Sequence, residues 1–130
     1  VSNSRLPYQT PWLRPSLKVT TIIFVPATFL MAWLGTKVST VLLLDVRPAA
    51  DFAGEWGHVR DARNLPLEEL PQRMDELDGH KQRPIRLICR TDRRSAQAAR
   101  LLADAGFTDA QVIRGGMTAW RANGWPVAGG

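Results

Sequence analysis

A chain of 130 residues with 45% hydrophobic and 22% charged residues has the length and composition of one folded domain with a buried core, which excludes a disordered chain. Its single cysteine excludes an internal disulfide framework and a cysteine-built metal site. The two histidines, His58 and His80, lie too far apart in sequence for metal-ligand spacing, so neither a metal nor another cofactor is expected. The net charge of +5 comes from scattered arginines whose densest group, Arg90, Arg93 and Arg94, surrounds the cysteine. With no lysine-rich stripe or RNA-binding aromatic motif, that charge points to a small anionic ligand and away from nucleic acid.

Residues 1–18, with Pro7, Pro11 and Pro15, read as an extended arm without a core of its own, and residues 19–130 as the folded domain. Residues 19–36 carry no charge over eighteen positions, close to the roughly 20 that a membrane span needs. Pro26 divides this stretch, Thr20, Thr21 and Thr28 dilute it, and residues 20–25 are rich in β-branched side chains. It is therefore read as a strand ending at Val25 and a helix over 27–34 closed by Gly35, rather than as a membrane span. Phe29 and Trp33 would then sit uncovered on one helix face, to be covered by the arm (Tyr8, Trp12) or by a second copy in a homodimer.

The apolar run 41–44, followed by Asp45-Val46-Arg47-Pro48, has the pattern of a strand buried on both faces. A helical turn over 48–52, a loop carrying His58 between Gly54 and a short strand ending at Pro66, and an amphipathic helix over 68–77 follow. Leu67, Leu70, Met74 and Leu77 share one side of that helix. Residues 85–88 form another strand, residues 95–105 an alanine-rich helix capped by Gly106, residues 110–113 a strand, and residues 117–123 a short helix after Gly115-Gly116. Strands alternating with helices predict an α/β domain, a mainly parallel sheet flanked by helices on both faces.

Cys89 ends the 85–88 strand. Five polar residues, Arg90 to Arg94, separate it from Ser95 at the head of the next helix. A strand, a tight loop and a helix in that order aim backbone N–H groups and the positive end of a helix dipole at one spot, where a thiolate is favoured over a thiol. Cys89 is accordingly expected to be a reactive nucleophile in an anion-binding cradle. Arg90, adjacent to it, is the arginine favoured to touch the anion, Thr91 offers its backbone N–H, and Ser95 either caps the helix or donates to the thiolate. Asp45 and Arg47 are read as a supporting ion pair that ties loops together near the site. His58 and the tryptophans Trp33, Trp56, Trp120 and Trp125 are read as structural.

The chain resembles the single-domain rhodaneses, a sulfurtransferase family. Leu43-Leu44-Asp45-Val46-Arg47 is similar to the family's Leu-(Leu/Ile)-Asp-Val-Arg motif. The stretch Gly57-His58-Val59-Arg60-Asp61-Ala62-Arg63-Asn64-Leu65-Pro66 is similar to Gly-His-Ile-x-Gly-Ala-x-Asn-(Ile/Leu)-Pro. Cys89-Arg90-Thr91-Asp92-Arg93-Arg94-Ser95 is similar to the Cys-Arg-x-Gly-x-Arg-Ser loop, and residues 115–127 to the closing Gly-Gly-x-x-x-Trp-x-x-x-Gly-x-Pro-Val pattern. Asp61 and Asp92 depart from the family, standing where glycine is usual. At Asp92 this implies a loop residue in left-handed geometry, and a negative charge within an anion site.

The resemblance implies that Cys89 takes sulfane sulfur from a small anionic donor such as thiosulfate. A persulfide forms and passes to cyanide, a thiol or a protein acceptor, with Arg90, Thr91, Asp92, Arg93, Arg94 and Ser95 lining the substrate loop. The cytoplasm suits one working thiol. Two alternatives stand beside it: a persulfide carrier or regulatory module with little turnover, and a phosphatase or arsenate reductase of the same fold. The phosphatase loop is Cys-x5-Arg, whereas here the arginine is Arg94, one position earlier.

Overall fold

The computed structural model describes the backbone of Phe24–Val25 and residues 41–129. The expected arm, the helix over 27–34 and its Phe29 and Trp33 lie outside the described residues. Five parallel strands form one sheet in the order β1-β5-β4-β2-β3: β1 Phe24–Val25, β2 Leu42–Asp45, β3 Arg63–Asn64, β4 Ile85–Ile88 and β5 Ala110–Ile113. The helices are α1 Ala49–Phe52, α2 Leu70–Arg73, α3 Arg93–Asp104 and α4 Gly116–Ala122. Among the described residues no helix is long and apolar enough to cross a membrane.

Most positions of β2, β4 and β5 are apolar because both sheet faces are covered. Leu44, Leu87 and Val112 lie on one face, packed with Ala98, Ala99 and Leu102 of α3 and with Leu70 and Leu77. Leu43, Ile88 and Ile113 lie on the other, packed with Val59 and with Met117 and Trp120 of α4. The alanines of α3 let that helix approach the sheet closely. Each fully buried large side chain in these layers contributes roughly 1.5–3 kcal/mol.

The segment after β3 differs from the single amphipathic helix predicted over 68–77. It runs as a 3-10 turn at Leu67–Glu69, then α2, then a 3-10 segment at Met74–His80. Pro71 has no N–H to give the carbonyl of Leu67, so a continuous α-helix through this point would lack a bond. The apolar side is kept nonetheless, with Leu70 and Leu77 buried and Leu67 and Met74 packed against the core. The helix predicted to open at Ser95 opens two residues earlier, at Arg93, with Asp92 as its N-cap residue.

Register sets where the loops meet. Asp45 lies opposite Ile88, Leu87 lies opposite Val112, and the Val46 N–H donates to the Ile88 carbonyl at 2.9 Å. The carboxyl ends of β2, β4 and β5 therefore finish side by side, and their loops converge on the sheet edge where open α/β folds hold ligands.

Candidate active site

Cys89 leaves the end of β4, the strand between β2 and β5, and is 2% exposed. Its loop is laced to the turn before α4. The Cys89 carbonyl accepts from the Met117 N–H at 2.8 Å and the Arg90 carbonyl from the Thr118 N–H at 3.0 Å. The Gly115 N–H donates to Asp92 Oδ1 at 2.8 Å. Because peptide units are planar and trans, drawing these two carbonyls toward α4 turns the N–H groups of Arg90 and Thr91 the opposite way. From the first turn of α3 the Ser95 N–H donates to Cys89 Sγ at 3.4 Å. That donor, at the positive end of a twelve-residue helix, favours negative charge on the sulfur.

The lacing needs two glycines in left-handed geometry, Gly115 at φ 82° and Gly116 at φ 54°. A Cβ on Gly116 would fall 2.3 Å from the Cys89 carbonyl oxygen and 2.4 Å from that of Thr91. No other residue type lets the two segments approach this closely.

Asp92 does not take the left-handed geometry expected of it; its φ is −131°. The other departure from the glycine pattern, Asp61, does so at φ 67°. Asp92 keeps ordinary negative φ as the residue before α3, and its carboxylate turns to the Gly115 N–H rather than outward to an arginine. It is 5% exposed, and its Oδ2 has no hydrogen-bond partner among the described residues. Burial pushes its pKa above the usual aspartate value, against the opposing pull of the Gly115 N–H and of Arg114. The folded protein thus holds this proton to higher pH than the unfolded chain does. The cost of the buried charge is absent below the unfolded value and develops as pH rises through the folded one. Asp92→Asn, which keeps an oxygen for Gly115, is expected to be more stable than the parent at pH 8, by a margin that shrinks toward pH 4. Asp92→Ala, which leaves the Gly115 N–H unpaired, is expected to lose roughly 1–3 kcal/mol. Urea unfolding of the three proteins at both pH values checks this.

The remaining loop residues point in several directions. Arg94 is ion-paired with Glu68, whose carboxyl it holds below the usual glutamate range. Arg93 and Thr91 are exposed. Ser95 is buried, caps nothing, and its Oγ has no partner among the described residues. Arg90 lies with its guanidinium 4.3 Å from the centroid of the Trp56 ring, over which Arg121 also sits at 4.9 Å. Trp56 was assigned to packing by sequence. It does pack against Leu43, Ile88 and their neighbours, but it also forms a wall of a cavity of about 230 Å³ that Arg90 borders.

Asp45 and Arg47 form the ion pair that their positions suggest. Arg47 Nε donates to Asp45 Oδ1 at 2.9 Å, its Nη2 to Oδ2 at 2.7 Å, and Nη2 also to the Gly57 carbonyl at 2.8 Å. Asn64 Nδ2 donates to the carbonyls of both residues at 2.9 Å. Both charges are buried, so each satisfies the other while the pair fixes the loop after β2 against that of Gly57. His58 is held structurally: its ring stacks on Phe52 at 3.7 Å, and its Nδ1 lies 3.0 Å from the Phe52 carbonyl. Among the described residues no group of three or more His, Cys, Asp or Glu side chains could hold a metal ion.

A parallel α/β sheet with its one cysteine on the loop between the end of β4 and the head of α3 defines a class of α/β domain with a thiol at the sheet's carboxyl edge. Within that class the chain belongs to the rhodanese-like domain family, whose profile it matches over residues 27–123. It is 38% identical over 87 residues to a protein named sulfurtransferase from Allochromatium vinosum, covering 67% of this chain and 78% of that one. It is 32% identical over 85 residues to a protein named thiosulfate sulfurtransferase GlpE from Shewanella oneidensis, covering 65% and 80%. Some relatives are longer; the chain spans 59% of YqhL from Bacillus subtilis, which is 40% identical over 78 residues and matches 60% of this chain. The crystal structure of the Alr3790 protein from Anabaena sp. superposes with a TM-score of 0.70 at 31% identity, covering 81% of this chain and 80% of that one.

Proposed function

We propose that the protein is a sulfurtransferase in which Cys89 takes sulfane sulfur from thiosulfate or a similar anionic donor and passes it to a thiol or cyanide acceptor. The observation that carries this reading is the Ser95 N–H donated to Cys89 Sγ from the first turn of α3, in a loop that α4 holds closed. The Cys89 thiolate attacks the outer sulfur of the donor. The new S–S bond forms as the donor's S–S bond breaks, sulfite leaves with the electron pair, and a persulfide remains on Cys89. The acceptor's attack on that outer sulfur returns Cys89 as thiolate.

The N–H groups of the loop meet the negative sulfur in both states, and Arg90, next in sequence to the cysteine and held over Trp56, is the cation assigned to the donor's oxygens. Ser95 Oγ, buried without a partner, is suited to donate to the outer persulfide sulfur. Asp92 shapes the loop, and Asp45 and Arg47 support it. Arg93 supplies longer-range positive potential, while the charge of Arg94 is offset by Glu68. A reducing, cytoplasmic compartment is the setting in which a lone thiol would serve this cycle.

Intact-mass measurement after incubation with thiosulfate is expected to show a single addition of ~32 Da, removed by cyanide with release of thiocyanate. Loading without turnover would make the protein a sulfur carrier. Hydrolysis of an aryl phosphate with no added sulfur would overturn the proposal in favour of a phosphatase.

A further inference from the structure

The cavity bordered by Arg90 has a lining that a thiosulfate dianion does not explain. Its volume of about 230 Å³ lies below the roughly 300–1,000 Å³ of pockets for drug-sized ligands, which suits a molecule of amino-acid size. Arg47 reaches it with a guanidinium already neutralised by Asp45. The cation left to act in it is Arg90, held over Trp56. Two carboxylates, Asp51 and Glu55, line it as well, and among the described residues neither has a hydrogen-bond or ion-pair partner. One guanidinium and two carboxylates around a single small space complement a ligand that carries both signs of charge better than one that carries negative charge alone.

We propose that this cavity binds the head of a zwitterionic amino-acid thiol, the carboxylate on Arg90 and the ammonium between Asp51 and Glu55. The inference rests on the sulfur-transfer reading and names the acceptor class for it. Arg90 is next in sequence to Cys89, so a head anchored there keeps the thiol end of the ligand beside the cysteine loop. The thiol attacks as its thiolate. Its sulfur bonds to the outer sulfur of the Cys89 persulfide, the bond from that sulfur to Cys89 Sγ breaks, and Cys89 leaves as thiolate with the electron pair. The product is the amino-acid persulfide, and no external oxidant or reductant enters.

Three probe thiols separate the charges: L-cysteine carries both, 3-mercaptopropionate lacks the ammonium, and cysteamine lacks the carboxylate. With the protein first loaded by thiosulfate, discharge of the ~32 Da adduct is timed by intact mass at equal thiolate concentration. L-Cysteine is expected to discharge it about threefold to tenfold faster than either analogue, the range that two exposed charge pairs support. In Asp51→Asn/Glu55→Gln the ratio of L-cysteine to 3-mercaptopropionate is expected to collapse to about one, with thermal melting reporting that the variant is folded. Normal loading followed by equal discharge by all three thiols would overturn this inference alone, as would a ratio that survives the double substitution. Failure to load from thiosulfate would remove it together with the reading it rests on.

Discussion

Cys89→Ser is expected to bring sulfur transfer down to the uncatalysed background, a loss of roughly 10³-fold or more, and to abolish the ~32 Da adduct. A serine hydroxyl is not ionised near neutral pH, and an oxygen in place of Sγ cannot carry the persulfide through which the proposed relay runs. The fold gives little reason for a collateral effect. The site is almost wholly buried, the exchange alters one atom, and the Ser95 N–H stays in place to meet the new oxygen. A thermal melt within a few degrees of the parent, set beside absent turnover of thiosulfate and cyanide, is the expected pair of results. Retained turnover would move the nucleophile away from the only cysteine in the chain.

The second large effect is expected at a residue with no chemistry of its own. Gly116→Ala puts a methyl group 2.3 Å from the Cys89 carbonyl oxygen, 2.4 Å from that of Thr91 and 2.8 Å from the Arg90 carbonyl carbon. These are backbone atoms, so no side-chain rotation relieves the overlap and the two segments have to separate. Separation sacrifices the bonds from the Met117 and Thr118 N–H groups to the Cys89 and Arg90 carbonyls, which keep the loop closed. Left-handed strain of roughly 1–2 kcal/mol adds to overpacking of about 1–3 kcal/mol. A total loss of roughly 2–5 kcal/mol is expected in urea unfolding, with sulfur loading reduced even where the protein remains folded. Gly106→Ala is the internal comparison. Its φ of 97° carries strain, but a Cβ there meets nothing within 4 Å. It should show the strain alone and leave loading intact.

Much of this arrangement is legible in the sequence because its causes are local. The run 41–44 is apolar at every position and those around Leu87 and Val112 are interrupted only by Arg86 and Gln111, the pattern of a sheet covered on both faces. The alanines after Ser95 mark a helix that packs closely on that sheet. Gly115-Gly116 signals a backbone constraint, though not that the constraint is contact with the cysteine loop. Where the reading erred, the deciding term was tertiary or a single missing donor. Pro71 broke a helix whose apolar spacing was otherwise correct. Asp92 stands before α3 with ordinary negative φ, and its carboxylate meets the N–H of Gly115, twenty-three positions away, a partner that local sequence does not show. Trp56 is an ordinary loop aromatic by its neighbours in sequence; its role as the platform under Arg90 and Arg121 exists only once α4 and the cysteine loop are assembled around it.

The segment that carries Trp56 is also fastened from far along the chain. Gly57 sits against the Ala128 carbonyl so tightly that a Cβ would come within 2.5 Å of it, and His58 exchanges backbone bonds with Ala128 at 2.9 and 2.7 Å. Trp120 Nε1 donates to the Pro126 carbonyl, holding the same stretch down from the other side. The pocket wall and its latch thus meet across about seventy positions of chain. Closing a loop of that length costs entropy that only the assembled sheet repays, so the Trp56 wall depends on the fold of the whole domain rather than on its own neighbours in sequence.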